Sequence, residues 1–173
     1  MPDRLDTYDL GALRLRAGEA RRLDLEVALD PFELSNEPYE VEPTPVPVRL
    51  DISRMTGGGW SLHLQLRAEL HGPCMRCLEP ASPSYIVDVR EVDQPGGGPE
   101  LDSPYVDGEV LDLKAWTRDS LALALPAQIL CTSRCLGLCP ECGIDLNTAE
   151  AGHAHAKEPD ARWAALADLK FDE

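Results

Sequence analysis

Cys131-Thr-Ser-Arg-Cys-Leu-Gly-Leu-Cys-Pro-Glu-Cys-Gly143 holds four of the chain's six cysteines, and the other two lie far upstream in Cys74-Met75-Arg76-Cys77. Cysteines spaced by two or three residues suit a tetrahedral metal. The short turn lets both sulfurs face one ion at ~2.3 Å while backbone amides point at the thiolates. In Cys139-Pro140-Glu141-Cys142-Gly143 the proline sets the turn and the glycine accepts the backbone angles that follow. The chain reads as built around bound zinc, one or two ions, and as a binding protein rather than a catalyst.

Six cysteines do not divide into sites of four. The nearest complement is His153-Ala154-His155, downstream of Cys142. Charge sorts the pairs. Four thiolates around Zn²⁺ leave a net −2, which favours nearby cations; two thiolates with two neutral imidazoles leave zero. Arg76 and Arg134 each stand just before the second sulfur of a pair, whereas Cys139-Pro-Glu-Cys142 carries no basic residue. Cys74, Cys77, Cys131 and Cys135 are therefore expected to form site one, and Cys139, Cys142, His153 and His155 a weaker site two. A thioredoxin-like redox role for Cys74/Cys77 needs a helix starting at the first cysteine. Leu78-Glu79-Pro80 interrupts any such helix.

The chain has 173 residues, 43% of them hydrophobic and 5% aromatic, so its core must be mostly Leu, Val and Ala. No apolar run is long enough to span a membrane. The acidic start Met1-Pro2-Asp3-Arg4-Leu5-Asp6 is unlike a signal peptide, so a cytoplasmic location is expected. The formal charge is −15. Such a chain is repelled by nucleic acid at long range, and a basic protein partner fits the charge better. No nucleophile–base pairing stands out, and zinc held by four cysteines leaves no open position for water.

Strands are read from alternation. Arg22–Leu29 alternates. Val46–Met55 and Trp60–Leu70 flank Gly57-Gly58-Gly59 as a hairpin, and Tyr85–Val92 follows the first cysteine pair, which places that knuckle at a hairpin tip. Pro31, Pro38, Pro43, Pro45 and Pro47, with Glu33, Glu37, Glu40 and Glu42 among them, read as an extended acidic arm. Asp112 is a good N-cap for a helix that Pro126 stops. A final helix is expected near Pro159, with Trp163, Leu166 and Leu169 on one stripe. The expected fold is α+β: an antiparallel sheet, barrel-like in one version, with one helix packed on it and a C-terminal helix. Residues 1–147 would form one domain carrying the zinc knuckles, and residues 148–173 a tail and helix on or beside the core.

Cys74-Met-Arg-Cys77-Leu-Glu-Pro80, Val110-Leu-Asp-Leu113, Leu123-Ala-Leu-Pro126 and Cys131 through Cys139-Pro-Glu-Cys142-Gly-Ile-Asp-Leu-Asn147 together resemble the YceD family, named for accumulation of large-subunit ribosomal RNA. The closing Pro159-Asp-Ala-Arg-Trp163 is similar to the family's Asp-Pro-Arg ending, with Ala161 in place of the proline. Many relatives carry Cys-x-Cys where this chain has His153-Ala-His155, which suits a ligand exchange. The resemblance implies a role in large-subunit biogenesis supporting 23S rRNA levels, a pathway rather than a reaction. With no catalytic set in the residues, a non-enzymatic factor is expected, its partner a ribosomal protein or the rRNA itself; the charge favours a basic protein, and L32 is a candidate because its gene commonly neighbours the family's in bacteria. The alternatives are direct rRNA contact through Arg76 and Arg134 at the knuckle tips, and a zinc-dependent hydrolase.

Overall fold

The structure, a computed structural model, describes residues 6–155. Its elements in chain order are β1 (Tyr8–Asp9), a 3-10 turn (Gly11–Leu13), β2 (Ala20–Val27), β3 (Phe32–Leu34), β4 (Glu37–Glu42), β5 (Val46–Arg54), β6 (Trp60–Pro73), β7 (Pro80–Ala81), β8 (Ser84–Asp93), β9 (Val106–Asp107), β10 (Val110–Leu111) and α1 (Leu113–Ala124). Two compact units divide the chain, Met1–Cys135 and Leu136–Glu173. All the elements just named belong to the first.

The fourteen-residue β6 is the spine of this unit. Leu62, Leu64, Leu66, Ala68 and Leu70 are all buried, while the residues between them are half-buried or exposed. A period-2 pattern of this kind commits one face of a strand to a core. β5 pairs with β6 from Val48↔Leu66 to Arg54↔Trp60. β8 pairs with it from Trp60↔Asp93 to Glu69↔Ser84. Glu69 is also opposite Glu42, so β4 takes the edge of β6 that β8 does not. β5 and β4 thus share one edge of β6 end to end, joined by the step Pro43-Thr44-Pro45.

The buried face gathers Val48, Leu50 and Ile52 from β5, Val41 from β4, Val87 from β8 and the Leu row of β6. Each fully buried Leu or Ile contributes roughly 1.5–3 kcal/mol. α1 packs against both β8 and β2. It starts where Asp112 caps it, the carboxylate accepting from Ala115 N–H at 2.9 Å. Its buried side is Leu113, Trp116, Thr117, Ser120 and Leu121.

Three expectations need correction or placing. The described chain is mostly β, with one α-helix, rather than the expected α+β fold. Its sheets are open: the larger runs β2-β5-β6-β4-β3 with β7 and β8 also on β6, and a small sheet runs β1-β10-β9. No barrel closes, because β8 and β2 do not pair; α1 covers the apolar face against both. The expected C-terminal helix near Pro159 lies outside the described residues.

The acidic proline arm is also more structured than its composition implies. Phe32–Leu34 and Glu37–Glu42 form a hairpin, and β4 joins the main sheet. Ser35 and Asn36 both have positive φ, 54° and 65°, as a two-residue primed turn requires. Prolines exclude a helix here, but Pro38 sits in the short outer hairpin and Pro47 near the start of β5, where strands tolerate them.

Candidate metal centres

Knuckle one begins where β6 ends. Cys74 N–H donates to Glu79 O at 2.8 Å, and Leu78 N–H donates back to Cys74 O at 3.0 Å. Knuckle two repeats this turn: Cys139 N–H donates to Ile144 O at 2.8 Å and Gly143 N–H to Cys139 O at 2.9 Å. In both, the residue after the second cysteine is left-handed, Leu78 at φ 65° and Gly143 at φ 75°. Gly143 takes that conformation freely, while for Leu78 it costs about 1–2 kcal/mol.

The first unit brings Cys74, Cys77, Cys131 and Cys135 together, with all four sulfurs within 4.8 Å of one another. Cys74 Sγ lies 3.7 Å from Cys135 Sγ, and Cys77 Sγ lies 3.5 Å from Cys131 Sγ. Four sulfurs at ~2.3 Å from a common centre stand ~3.8 Å apart, so the spacing fits a tetrahedral ion. None of the cysteines is in a disulfide. Two strand-like contacts hold the halves in register: Met75 N–H donates to Ile129 O at 2.8 Å, and Ile129 N–H reaches Met75 Sδ at 3.3 Å. Arg76 ties the second half directly, donating to Gln128 Oε1 at 3.0 Å and to Cys135 O at 3.1 Å.

Electrostatics favour a bound cation. Burial opposes ionisation of Cys74, yet the N–H groups of Cys77, Arg76 and Cys131 outweigh it and bring its thiol down to about 6. For Cys77 the Glu79 N–H pulls the other way from burial and the three neighbouring thiols, which together push it up to about 12. One negative charge is thus accommodated among the four thiols and the next is resisted, a repulsion that a divalent ion would remove.

The second unit brings Cys139, Cys142, His153 and His155 within the same 4.8 Å limit. Cys142 Sγ is 3.4 Å from His153 Nε2, which is 3.1 Å from His155 Nε2. Both imidazoles turn the same nitrogen inward. Behind His155, Glu141 Oε2 stands 3.6 Å from Nδ1, the place where a carboxylate orients a metal-binding imidazole. The N–H groups of Cys142 and Glu141 hold the Cys139 thiol down at about 6. Asn147 Oδ1 accepts from Leu136 N–H at 2.8 Å, and Leu146 N–H donates to Gly137 O at 2.9 Å, closing the small loop around the knuckle. Cys139 is buried, whereas Cys142, His153 and His155 are exposed.

Residues 62–170, more than half of the chain, match the family described as "Large ribosomal RNA subunit accumulation protein YceD". The chain belongs to the YceD family. An uncharacterized protein of Mycobacterium tuberculosis is 34% identical over 106 residues, covering 57% of this chain and 49% of its own length. An uncharacterized protein of Mycobacterium leprae is 42% identical over 64 residues, covering 37% of this chain and 28% of its own length. A chloroplastic maize (Zea mays) protein, large ribosomal RNA subunit accumulation protein YCED homolog 1, is 27% identical over 183 residues, covering 85% of this chain and 60% of its own length. The chain spans about half the length of the first curated relatives it matches. No solved structure matches.

Both clusters fall inside the stretch that matches the YceD family. The remaining two histidines, His63 and His71, sit on the sheet and belong to neither cluster. Glu141, Gln128 and the Arg76–Cys135 carbonyl contact were missed in the sequence. Glu141 and Arg76 each had a local signal, as the one ionisable side chain inside a Cys-x-x-Cys turn; Gln128 had none. Among the described residues no helix is long and apolar enough to cross a membrane.

Proposed function

We propose that this YceD-family chain is a non-enzymatic factor that supports accumulation of large-subunit (23S) rRNA by binding a basic ribosomal protein through a zinc-stabilised domain. The observation that carries the reading is the family match over residues 62–170, which takes in every cysteine of the chain. Zinc is the metal in this reading because both donor sets are thiolate or thiolate–imidazole in four-membered clusters. Cys74, Cys77, Cys131 and Cys135 hold one ion and Cys139, Cys142, His153 and His155 the other. Both sets use all four positions, so neither leaves a site for an attacking water.

The charge of −15 supports a basic protein client over naked RNA. Arg76, one of two cations at the knuckle tips, already donates to Gln128 and Cys135, which leaves little of it for phosphate. The test is depletion of the protein in its own cells. Large-subunit rRNA should fall relative to small-subunit rRNA and be restored by the wild-type gene but not by a Cys77→Ser gene. An unchanged ratio on depletion refutes the function. Crosslinking in the same cells should recover a basic ribosomal protein; recovery of rRNA alone refutes the client.

A further inference from the structure

We infer that the solvent face of the sheet beside knuckle one is a docking surface for a basic peptide segment carrying an apolar anchor. The inference rests on the proposed function for its biological meaning and on the following geometry for its place. A pocket of about 380 Å³ opens between His71, Pro73, Leu78 and Pro80. Pro80 stands directly opposite Pro73 on the neighbouring strand, and opposed residues share a face. Leu78 is 67% exposed, and its left-handed backbone, set by the knuckle turn, presents it there. This is an apolar side chain held out into water by the metal knuckle itself.

The same face carries carboxylates. Glu40 lies opposite His71 and Glu42 opposite Glu69, and Glu69, His71 and Pro73 follow one another at the period of two that keeps them on one side of β6. Like charges placed directly opposite each other destabilise a sheet. His71 relieves this only in part. Its Nε2 is 3.4 Å from Glu42 Oε2 and 3.5 Å from Glu69 Oε2, yet it is buried without a hydrogen bond. A nearby cation, Arg67, directs its Nε to Ser84 Oγ at 2.9 Å. The face therefore has an apolar socket with three carboxylates, Glu40, Glu42 and Glu69, beside it, which His71 and the neighbouring Arg67 offset only in part. That combination fits a segment with one or two large apolar residues flanked by Lys or Arg, and it repels a phosphate backbone.

The experiment uses the full chain with its zinc and two fluorescein-labelled synthetic peptides. One alternates Lys/Arg pairs with Phe and Leu; the other has Ser in place of Phe and Leu. Anisotropy should give at least about tenfold tighter binding for the first peptide, the equivalent of burying one large apolar side chain. Leu78→Asn, which suits a left-handed residue and so keeps the turn, should erase that difference. The triple change Glu40→Gln, Glu42→Gln, Glu69→Gln should weaken both peptides about tenfold at low salt and less at high salt. Amide shifts in ¹⁵N spectra should cluster at residues 40–42, 69–73 and 78–82. Equal affinity for the two peptides, or shifts centred elsewhere, overturns the surface. If the shifts appear here while depletion leaves rRNA unchanged, the surface stands and the proposed function fails. If rRNA depends on the protein but Leu78→Asn and the triple variant behave as wild type in binding, the function stands and the surface fails.

Discussion

The sulfurs of Cys74 and Cys135 lie 3.7 Å apart although they stand 61 positions apart in the chain. An ion shared between them would close the stretch from Cys74 to Cys135, a little under half of the first unit, into one loop, and the (3/2)RT ln n term for a loop of that length is about 3.6 kcal/mol. Cys77→Ser should therefore lose the site-one metal and lower stability by several kcal/mol. Hydrogen exchange should show protection falling along all of β6 and β8. Loss confined to residues 74–79 would mean that the metal is a local fastening only.

Native mass spectrometry should find two zinc ions on the intact chain. Cluster two has three exposed members, so mild chelation should remove its ion first. The double change His153→Ala, His155→Ala should leave one. Two ions surviving that change would place the second ion elsewhere.

Acid should release both metals in a window set by the thiols. The Cys74 and Cys139 thiols are each held down at about 6, against ~8.5 for a free cysteine. Because the folded value is the lower one, the stabilising contribution is complete above the ordinary thiol range and is lost as pH falls through about 6. Metal content followed by a colorimetric chelator should hold steady above pH 7 and collapse below about 6. A release midpoint near 8 would contradict the amide–thiolate arrangement of the knuckles.

Gly72 faces Tyr39 across the β4–β6 step, and a Cβ there would overlap the tyrosine ring. Tyr39 is almost wholly buried, and its hydroxyl donates to Pro73 O at 2.7 Å, one residue before Cys74. Gly72→Ala should cost about 1–3 kcal/mol in urea unfolding and should loosen zinc at site one more than at site two. An unchanged midpoint would show that the ring can move aside.

Much of this was legible because it is local. The alternation Leu62, Leu64, Leu66, Ala68, Leu70 identifies β6, Gly57-Gly58-Gly59 the hairpin before it, and Asp112 the start of α1. The two groups of four that the structure gathers are the ones that charge and spacing sort in the sequence; that they hold zinc is what the metal measurement tests. What stayed hidden is non-local or unsignalled. Whether a sheet closes depends on where its outer strands meet, and nothing in Ala20–Val27 or Ser84–Asp93 says that α1 will lie against both. The hairpin at Ser35-Asn36 lacks the glycine that usually announces a primed turn, and prolines on both sides mask its alternation. Leu78 takes a left-handed conformation where its counterpart in the other knuckle is Gly143, and no local pattern announces that this apolar side chain is held in solvent.

The attachment of knuckle one to the end of β6 has a mechanical consequence. A pull on the knuckle travels along the strand axis and loads the rungs to β5 and β8 in shear, all at once. A pull on the outer strand β2, directed away from the sheet, would part its rungs one by one, as a zipper opens. Force applied at the knuckle thus meets rungs that must yield together rather than in turn.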